Sequence, residues 1–232
     1  MLSLLGLSTR MAVLGVTLAL PLIATADGPG GAFAATAAAP DVRAPSYVLG
    51  RGMFLVASRR LADPNFAQSV VLVLEYDAKG ALGLIVNKPT RVQLSELLPE
   101  VEELKERADI VYLGGPVSKD HVLLLMRSRL HPPQAGRVFA DTYVSTSLES
   151  LKSAVAAGDE GPQLRAYVGY AGWGPGQLDD EVSRGDWHIA PADEATVFDT
   201  GAEKIWPDLI EKNSGQWVRR PMPRLQVAGA LP

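Results

Sequence analysis

Short apolar runs, each bounded by glycine, proline or Asx residues, govern what this chain can fold into. Met53-Phe-Leu-Val-Ala57, Val70-Val-Leu-Val-Leu74, Ala81-Leu-Gly-Leu-Ile-Val86, Ile110-Val-Tyr-Leu113, His121-Val-Leu-Leu-Leu-Met126 and Leu164-Arg-Ala-Tyr-Val168 are too short for globular helices, and most are rich in β-branched or aromatic residues. They read as strands. Tyr76-Asp-Ala-Lys-Gly80 supplies turn chemistry, so residues 70–86 read as a hairpin. The unbroken run at 121–126 predicts a strand buried on both faces.

Between the strands the pattern changes. Asn87-Lys-Pro89 stops the hairpin, and residues 92–108 read as helical pieces broken at Pro99, with Val101, Leu104 and Ala108 on one face. Residues 130–137 read as a Pro/Gly-bearing loop before Tyr143-Val-Ser145. Ser147 is placed to cap a helix through Ala157, with Leu148, Leu151 and Val155 as its buried stripe and Gly158 as its stop. A glycine-rich loop, Gly169–Gly176, leads into a short helix at 177–184. A strand at 186–190 and short helices at 192–198 and 204–211 complete the pass. Hairpins early and helical connections later predict an α+β fold with a mixed sheet.

The ends of the chain read differently. Arg10 is the only charged residue before Asp27 and precedes the apolar run Met11–Ile23, which is shorter than the roughly 20 residues of a membrane span. Ala24-Thr-Ala26 and Ala32-Phe-Ala34 have the small-residue form of a cleavage site. Residues 1–26 therefore read as a signal peptide, 27–45 as a flexible linker, 46–212 as one domain and 213–232 as a tail. The expected location is the periplasm, with membrane contact only through an uncleaved leader.

Composition removes several functions. The chain of 232 residues carries a net charge of −4, which disfavours a broad contact with nucleic-acid phosphates. It has no cysteine, so disulfides, zinc–thiolate sites, iron–sulfur clusters and a thiol nucleophile are excluded. Its histidines, His121, His131 and His188, are scattered, and no Gly-x-Ser-x-Gly accompanies Ser69 or the aspartates that a Ser-His-Asp site would need. Asp179-Asp-Glu181 reads as a carboxylate run complementing a helix N-terminus. No metal, cofactor or catalytic residue is implied.

Two polar groups remain as candidate binding residues. Asp63 and Asn65, with Asn87 and Lys88, follow strands and are placed to face one another; Asx side chains in such positions also fix turns. Trp173 and Gln177 lie around the glycine-rich turn, which lacks the pattern of a nucleotide-binding loop. There the indole either covers a ligand or fills the core.

Four segments in order resemble the AlgH/YqgE family: Arg51–Ala57 with Leu61-Ala-Asp-Pro-Asn-Phe66, Gly80–Pro89, Val111–Val117, and Val168–Leu178. The resemblance covers about residues 48–210. It implies one α+β domain whose mixed, partly bifurcated sheet curls toward a pseudo-barrel with flanking helices. It carries over no catalytic residue and no cofactor. The family's label as a transcriptional regulator comes from a proposed link to alginate production, and the family is mostly regarded as cytoplasmic. Ser58-Arg-Arg60, the leader and a tail lacking Gly-His-Ala depart from its pattern. The residues favour a non-enzymatic binding or regulatory domain acting on a protein or small ligand. The alternative is a hydrolase-like or nucleotide-handling enzyme with a cleft near Trp173.

Overall fold

The computed structural model describes residues 47–156 and 163–217. The leader, the linker, the Gly158 helix stop and most of the tail lie outside the described residues. Along the chain run β1 Met53–Ala57, β2 Val70–Asp77, β3 Gly80–Ile85, β4 Pro89–Gln93, α1 Leu94–Leu97, a 3-10 turn Glu102–Leu104, β5 Ile110–Leu113 and β6 Val117–Arg127. There follow β7 Gly136–Phe139, β8 Thr142–Ser145, α2 Leu148–Ala156, β9 Gln163–Trp173, α3 Gln177–Arg184, β10 Trp187–Pro191, α4 Glu194–Phe198 and α5 Ala202–Trp217.

The strands make one sheet in the order β10-β1-β2-β3-β9-β6-β8-β7, with β4 and β5 as a branch. Every pairing is antiparallel except β5 with β9. The fork lies on β9. One of its edges pairs with β6; the other pairs with β5 over Ala166–Val168 and then with β3 over Ala171–Trp173. The sheet curls until β7 returns to the start of β1, where a Cβ on Gly52 would lie 3.0 Å from the Phe139 Cβ. The fold is the α+β, forked and curled sheet that the resemblance implies.

A glycine explains the fork. Gly169 has φ +69°, a left-handed conformation that glycine adopts without a Cβ clash. Strand side chains alternate between faces, so a single irregular residue exchanges the faces beyond it. Tyr167 before Gly169 and Tyr170 after it both pack toward the inner core, although their numbers differ in parity. The outer face is carried by Ala166 before the glycine and by Ala171 and Trp173 after it. Close approach adds a second constraint, because a Cβ on Gly115 would overlap the Tyr170 backbone.

Three apolar clusters follow. The inner core gathers Phe54, Val56, Leu72, Leu84, Tyr112, Leu125 and Tyr167 under Val197 of α4 and Ile205, Leu209 and Ile210 of α5. On the outer face, one half packs Leu55, Val71, Val73, Ile85, Trp173 and Trp187 against Leu178 of α3. The other half packs Val111, Leu124 and Ala166 against Leu94, Val101, Leu104, Leu151 and Val155. Burying each such side chain contributes about 1.5–3 kcal/mol before entropy is counted.

Several local expectations are corrected. Residues 169–173 belong to β9, so only Gly174–Gly176 forms the turn; backbone pairing to β3 captured glycines that by themselves read as loop. Pro89 begins β4 rather than ending strand structure, on a strand whose one partner is β5, where its missing N–H costs no ladder bond. Residues 92–108 split into that strand, α1 and the 3-10 turn, and Ala108 is exposed. The segment read as a loop at 130–137 ends in β7, which pairs with β8. Ser147 does cap α2, its Oγ accepting from Glu149 N at 3.1 Å, yet Leu148 is 43% exposed and leaves the buried stripe. Helix α5 continues past Lys212 to Trp217.

Candidate functional site

Asp63, Asn65, Asn87 and Lys88 do converge, and what they hold is the chain itself. Asp63 Oδ1 accepts from Asn65 N at 2.8 Å, and the Asp63 carbonyl accepts from Phe66 N and Ala67 N at 2.9 and 2.7 Å. This is an Asx turn closing the 63–67 loop. Asn87 spans the loop's far end: its amide donates to the Gln68 carbonyl at 2.9 Å, and its Oδ1 accepts from Val70 N at 2.8 Å. Gln68 sits at φ +54°, so this clamp fixes a strained residue. Lys88 Nζ donates to the Asn65 carbonyl at 2.7 Å. Desolvation lowers the Lys88 ammonium's pKa below the usual lysine range, partly opposed by the nearby Asp63 carboxylate.

The stapled loop delivers Phe66 onto the second candidate group. The Phe66 ring stacks on Trp173 with centroids 6.1 Å apart and meets Trp187 edge-on at 5.6 Å. Trp173 and Trp187 are themselves perpendicular at 6.1 Å. Trp173 is only 6% exposed. Both indole N–H groups donate to one oxygen, Glu181 Oε2, at 2.9 and 2.8 Å. Gln177 completes the arrangement: its amide donates to Glu181 Oε1 at 3.0 Å, and its Oε1 accepts from Gly174 N at 3.1 Å. Tyr76 donates to Asp179 at 2.6 Å, which raises the tyrosine's pKa.

Phe66 thus joins the two groups into one region. The indole fills the core while its N–H is held by a carboxylate, and the amides close turns. In the sequence, Glu181 has only a place in the carboxylate run at a helix N-terminus, and Trp187 only a place in a strand. Gln177 and Glu181 lie one helical turn apart, so their pairing is legible. That two tryptophans from different strands aim at the same carboxylate is not. Ser69 donates to the Phe66 carbonyl at 2.7 Å, and His121 pairs with Asp120 at 3.2 Å on an exposed bulge of β6. No cluster of three or more His, Cys, Asp or Glu suited to a metal ion occurs among the described residues. Arg59, in the segment that departs from the family pattern, lies over the Trp206 ring at 5.7 Å.

An open site lies on the other half of the outer face. Leu98, Val122, Leu124, Thr146, Ser147, Leu148 and Leu151 line an apolar groove of about 100 Å³ between α1, β6 and α2. Leu97, beside Leu98, is 37% exposed. Among the described residues, no helix is long and apolar enough to cross a membrane.

Comparison with known proteins agrees with this architecture. A family model described as AlgH-like matches residues 54–218. A UPF0301 protein of Streptomyces coelicolor is 35% identical over 173 residues, covering 71% of this chain and 86% of the relative. Another, from Anaeromyxobacter sp. strain K, is 39% identical over 169 residues, covering 68% and 85%. The solution structure of the AlgH protein from Pseudomonas aeruginosa matches with a TM-score of 0.57 at 33% identity, over 74% of this chain and 94% of that one. A crystal structure of protein DIP2367 from Corynebacterium diphtheriae shares the fold, with a TM-score of 0.62 at 24% identity over 77% and 91% of the two chains. With most of its length matched by the family model and by these relatives, the chain belongs to the AlgH/YqgE, or AlgH-like, family.

Proposed function

We propose that this chain is a binding domain without catalysis of its own, and that it takes a basic, apolar protein segment in the groove between α1 and α2. One observation carries the reading. The candidate polar residues are engaged with the chain's own groups, whereas the groove leaves leucines open to solvent. Charge sets the partner's chemistry. Residues 94–107, β6 and α2, the chain around the groove, carry Glu96, Glu100, Glu102, Glu103, Glu106, Asp120 and Glu149. Against them stand Lys119, Lys152, Lys105, which pairs with Glu102 at 2.6 Å, Arg107, which pairs with Asp109, and Arg127, which pairs with Asp199. The alternative, a hydrolase-like or nucleotide-handling cleft at Trp173, requires that indole to be free of Phe66 and Glu181.

A photo-crosslinking residue placed at Leu148, with Lys79 as a control position, tests the reading in the producing cell. The expected product is a discrete adduct from position 148, mapped to a segment rich in arginine or lysine and apolar residues. Adducts from both positions alike, or none from 148, would sink it. We further propose that residues 1–26 are removed on export, so that the partner is met in the periplasm. Mass determination of the N-terminus should find a start at Asp27 or Ala35 in the envelope fraction. Full-length protein in the cytosol would overturn that location.

A further inference from the structure

We propose that the chain's own C-terminal segment, Val218–Pro232, occupies the α1/α2 groove and competes there with any partner. The inference rests on the groove being a docking surface, and it names the segment that reaches the surface first.

The chemistry of the two parts is complementary. Val218–Pro232 carries Arg219, Arg220 and Arg224, no acidic residue, and the apolar side chains Val218, Met222, Leu225, Val227 and Leu231. The whole chain has net charge −4 and this segment contributes +3, so the remainder carries −7, that is −4 minus 3. The groove offers Leu98, Val122, Leu124, Leu148 and Leu151 as its apolar floor and walls. The chain around it supplies more carboxylates than cations, and three of those cations, Lys105, Arg107 and Arg127, pair with Glu102, Asp109 and Asp199. Arginine suits such a border, because its alkyl stem covers apolar surface while the guanidinium stays with carboxylates.

Length and backbone permit the connection. Helix α5 packs on the inner face, so the segment must pass around the sheet to reach the outer one. Fifteen residues span at most about 50 Å when extended. A domain of this size has a radius of gyration of about 15 Å, so that reach suffices. A residue that precedes proline favours extended backbone, and Pro221 and Pro223 put two such positions in the sequence, which suits a segment proposed to lie along a groove.

Hydrogen exchange on the full chain tests the idea. Three proteins are compared: the full chain, the full chain with R219E, R220E and R224E together, and a chain ending at Trp217. In the full chain, amides of residues 97–98 and 148–151 should exchange at least about fivefold more slowly than in the other two, as expected if the docked form outweighs the open one by that ratio. A peptide of residues 218–232 added to the truncated chain should restore protection, less effectively at high salt. Equal exchange in all three overturns the proposal. So does protection that grows with protein concentration, which would place a second copy's segment in the groove. If exchange is equal while Leu148 still crosslinks to a foreign segment, this inference fails and the docking reading stands. If the segment protects the groove but no foreign segment crosslinks even in the truncated chain, the reading of a foreign partner fails, and with it the competition, while occupancy of the groove by the chain's own segment stands.

Discussion

The two halves of the sheet's outer face are built from similar materials and finished differently. In the half around Trp173, the stapled 61–69 loop and α3 close over the apolar cluster, and the indole N–H groups of Trp173 and Trp187 share a carboxylate oxygen of Glu181. In the half around Leu151, α1, the 3-10 turn and α2 cover the cluster incompletely and leave Leu97 and Leu148 open. The difference lies in what seals each edge. A loop pinned by side-chain amides can be placed over the Trp173 cluster, whereas short helices separated by Pro99 leave a seam. Polar residues that attract attention in the sequence therefore stand at the sealed end. The groove left open on the other half is lined by residues such as Leu124, Leu148 and Leu151, which in the sequence read as ordinary core.

The most severe way to break this comparison is to disturb the joint between the halves. Gly115→Val would drive a side chain into the Tyr170 backbone, and a loss of more than about 4 kcal/mol is expected, enough to abolish cooperative unfolding. A folded variant with a normal urea midpoint would show that the fork tolerates movement.

A direct contrast comes from one truncation in each half. Trp173→Ala should cost about 3–5 kcal/mol by removing a buried indole, while Leu148→Ala should stay within about 0.5 kcal/mol. Urea midpoints of the two variants decide it. Similar costs would mean that the groove is closed in solution.

Glu181 sharpens the account of the sealed end. Glu181→Ala leaves two indole N–H groups without their acceptor, for an expected cost of about 1–3 kcal/mol. Glu181→Gln keeps an acceptor oxygen and should cost less. Tryptophan fluorescence should shift in the alanine variant, since the environments of Trp173 and Trp187 both change. An unshifted spectrum with unchanged stability would contradict the assigned contacts.

The smallest effect concerns pH and lies behind the sealed end, where His188 of β10 stands opposite Val56 on the inner face. Burial, with a smaller contribution from Arg60, holds His188 below the usual histidine range. The unfolded chain then binds its proton more readily than the folded one. Stability from this group is complete above the unfolded value, about 6.5, and is lost as pH falls toward and through the folded one. His188→Gln should flatten thermal stability between about pH 7 and 5. An unchanged slope would place the acid sensitivity elsewhere.

Much of the fold was legible because its signals are local. The runs at 53–57, 70–74 and 110–113, the 77–80 turn and the Ser147 cap each depend on residues a few positions apart, and each appears in the structure. The family was legible because several such motifs keep their order. The errors share a different cause. Residues 169–173 look like loop until β3 and β6 bond to them, and Pro89 looks like a stop until its strand proves to have only β5 beside it.

The candidate site divides the same way. From the sequence alone came the expectation that Asp63 and Asn65 lie near Asn87 and Lys88 and that Asx side chains there fix turns. That Lys88 reaches the Asn65 carbonyl while Asn87 clamps Gln68 and Val70 needed the fold. The absence of cysteine likewise needed no coordinates to exclude thiol chemistry, and the acidic balance needed none to disfavour a broad phosphate contact. Only the tertiary structure decided that Trp173 is sealed by Phe66 and tied to Glu181, and that Leu148 faces solvent. Periodicity assigns a side chain to a face, but its exposure depends on whether another element covers that face. Such cover is a meeting of segments far apart in the chain, as Phe66, Trp173 and Trp187 are, and no local pattern records it.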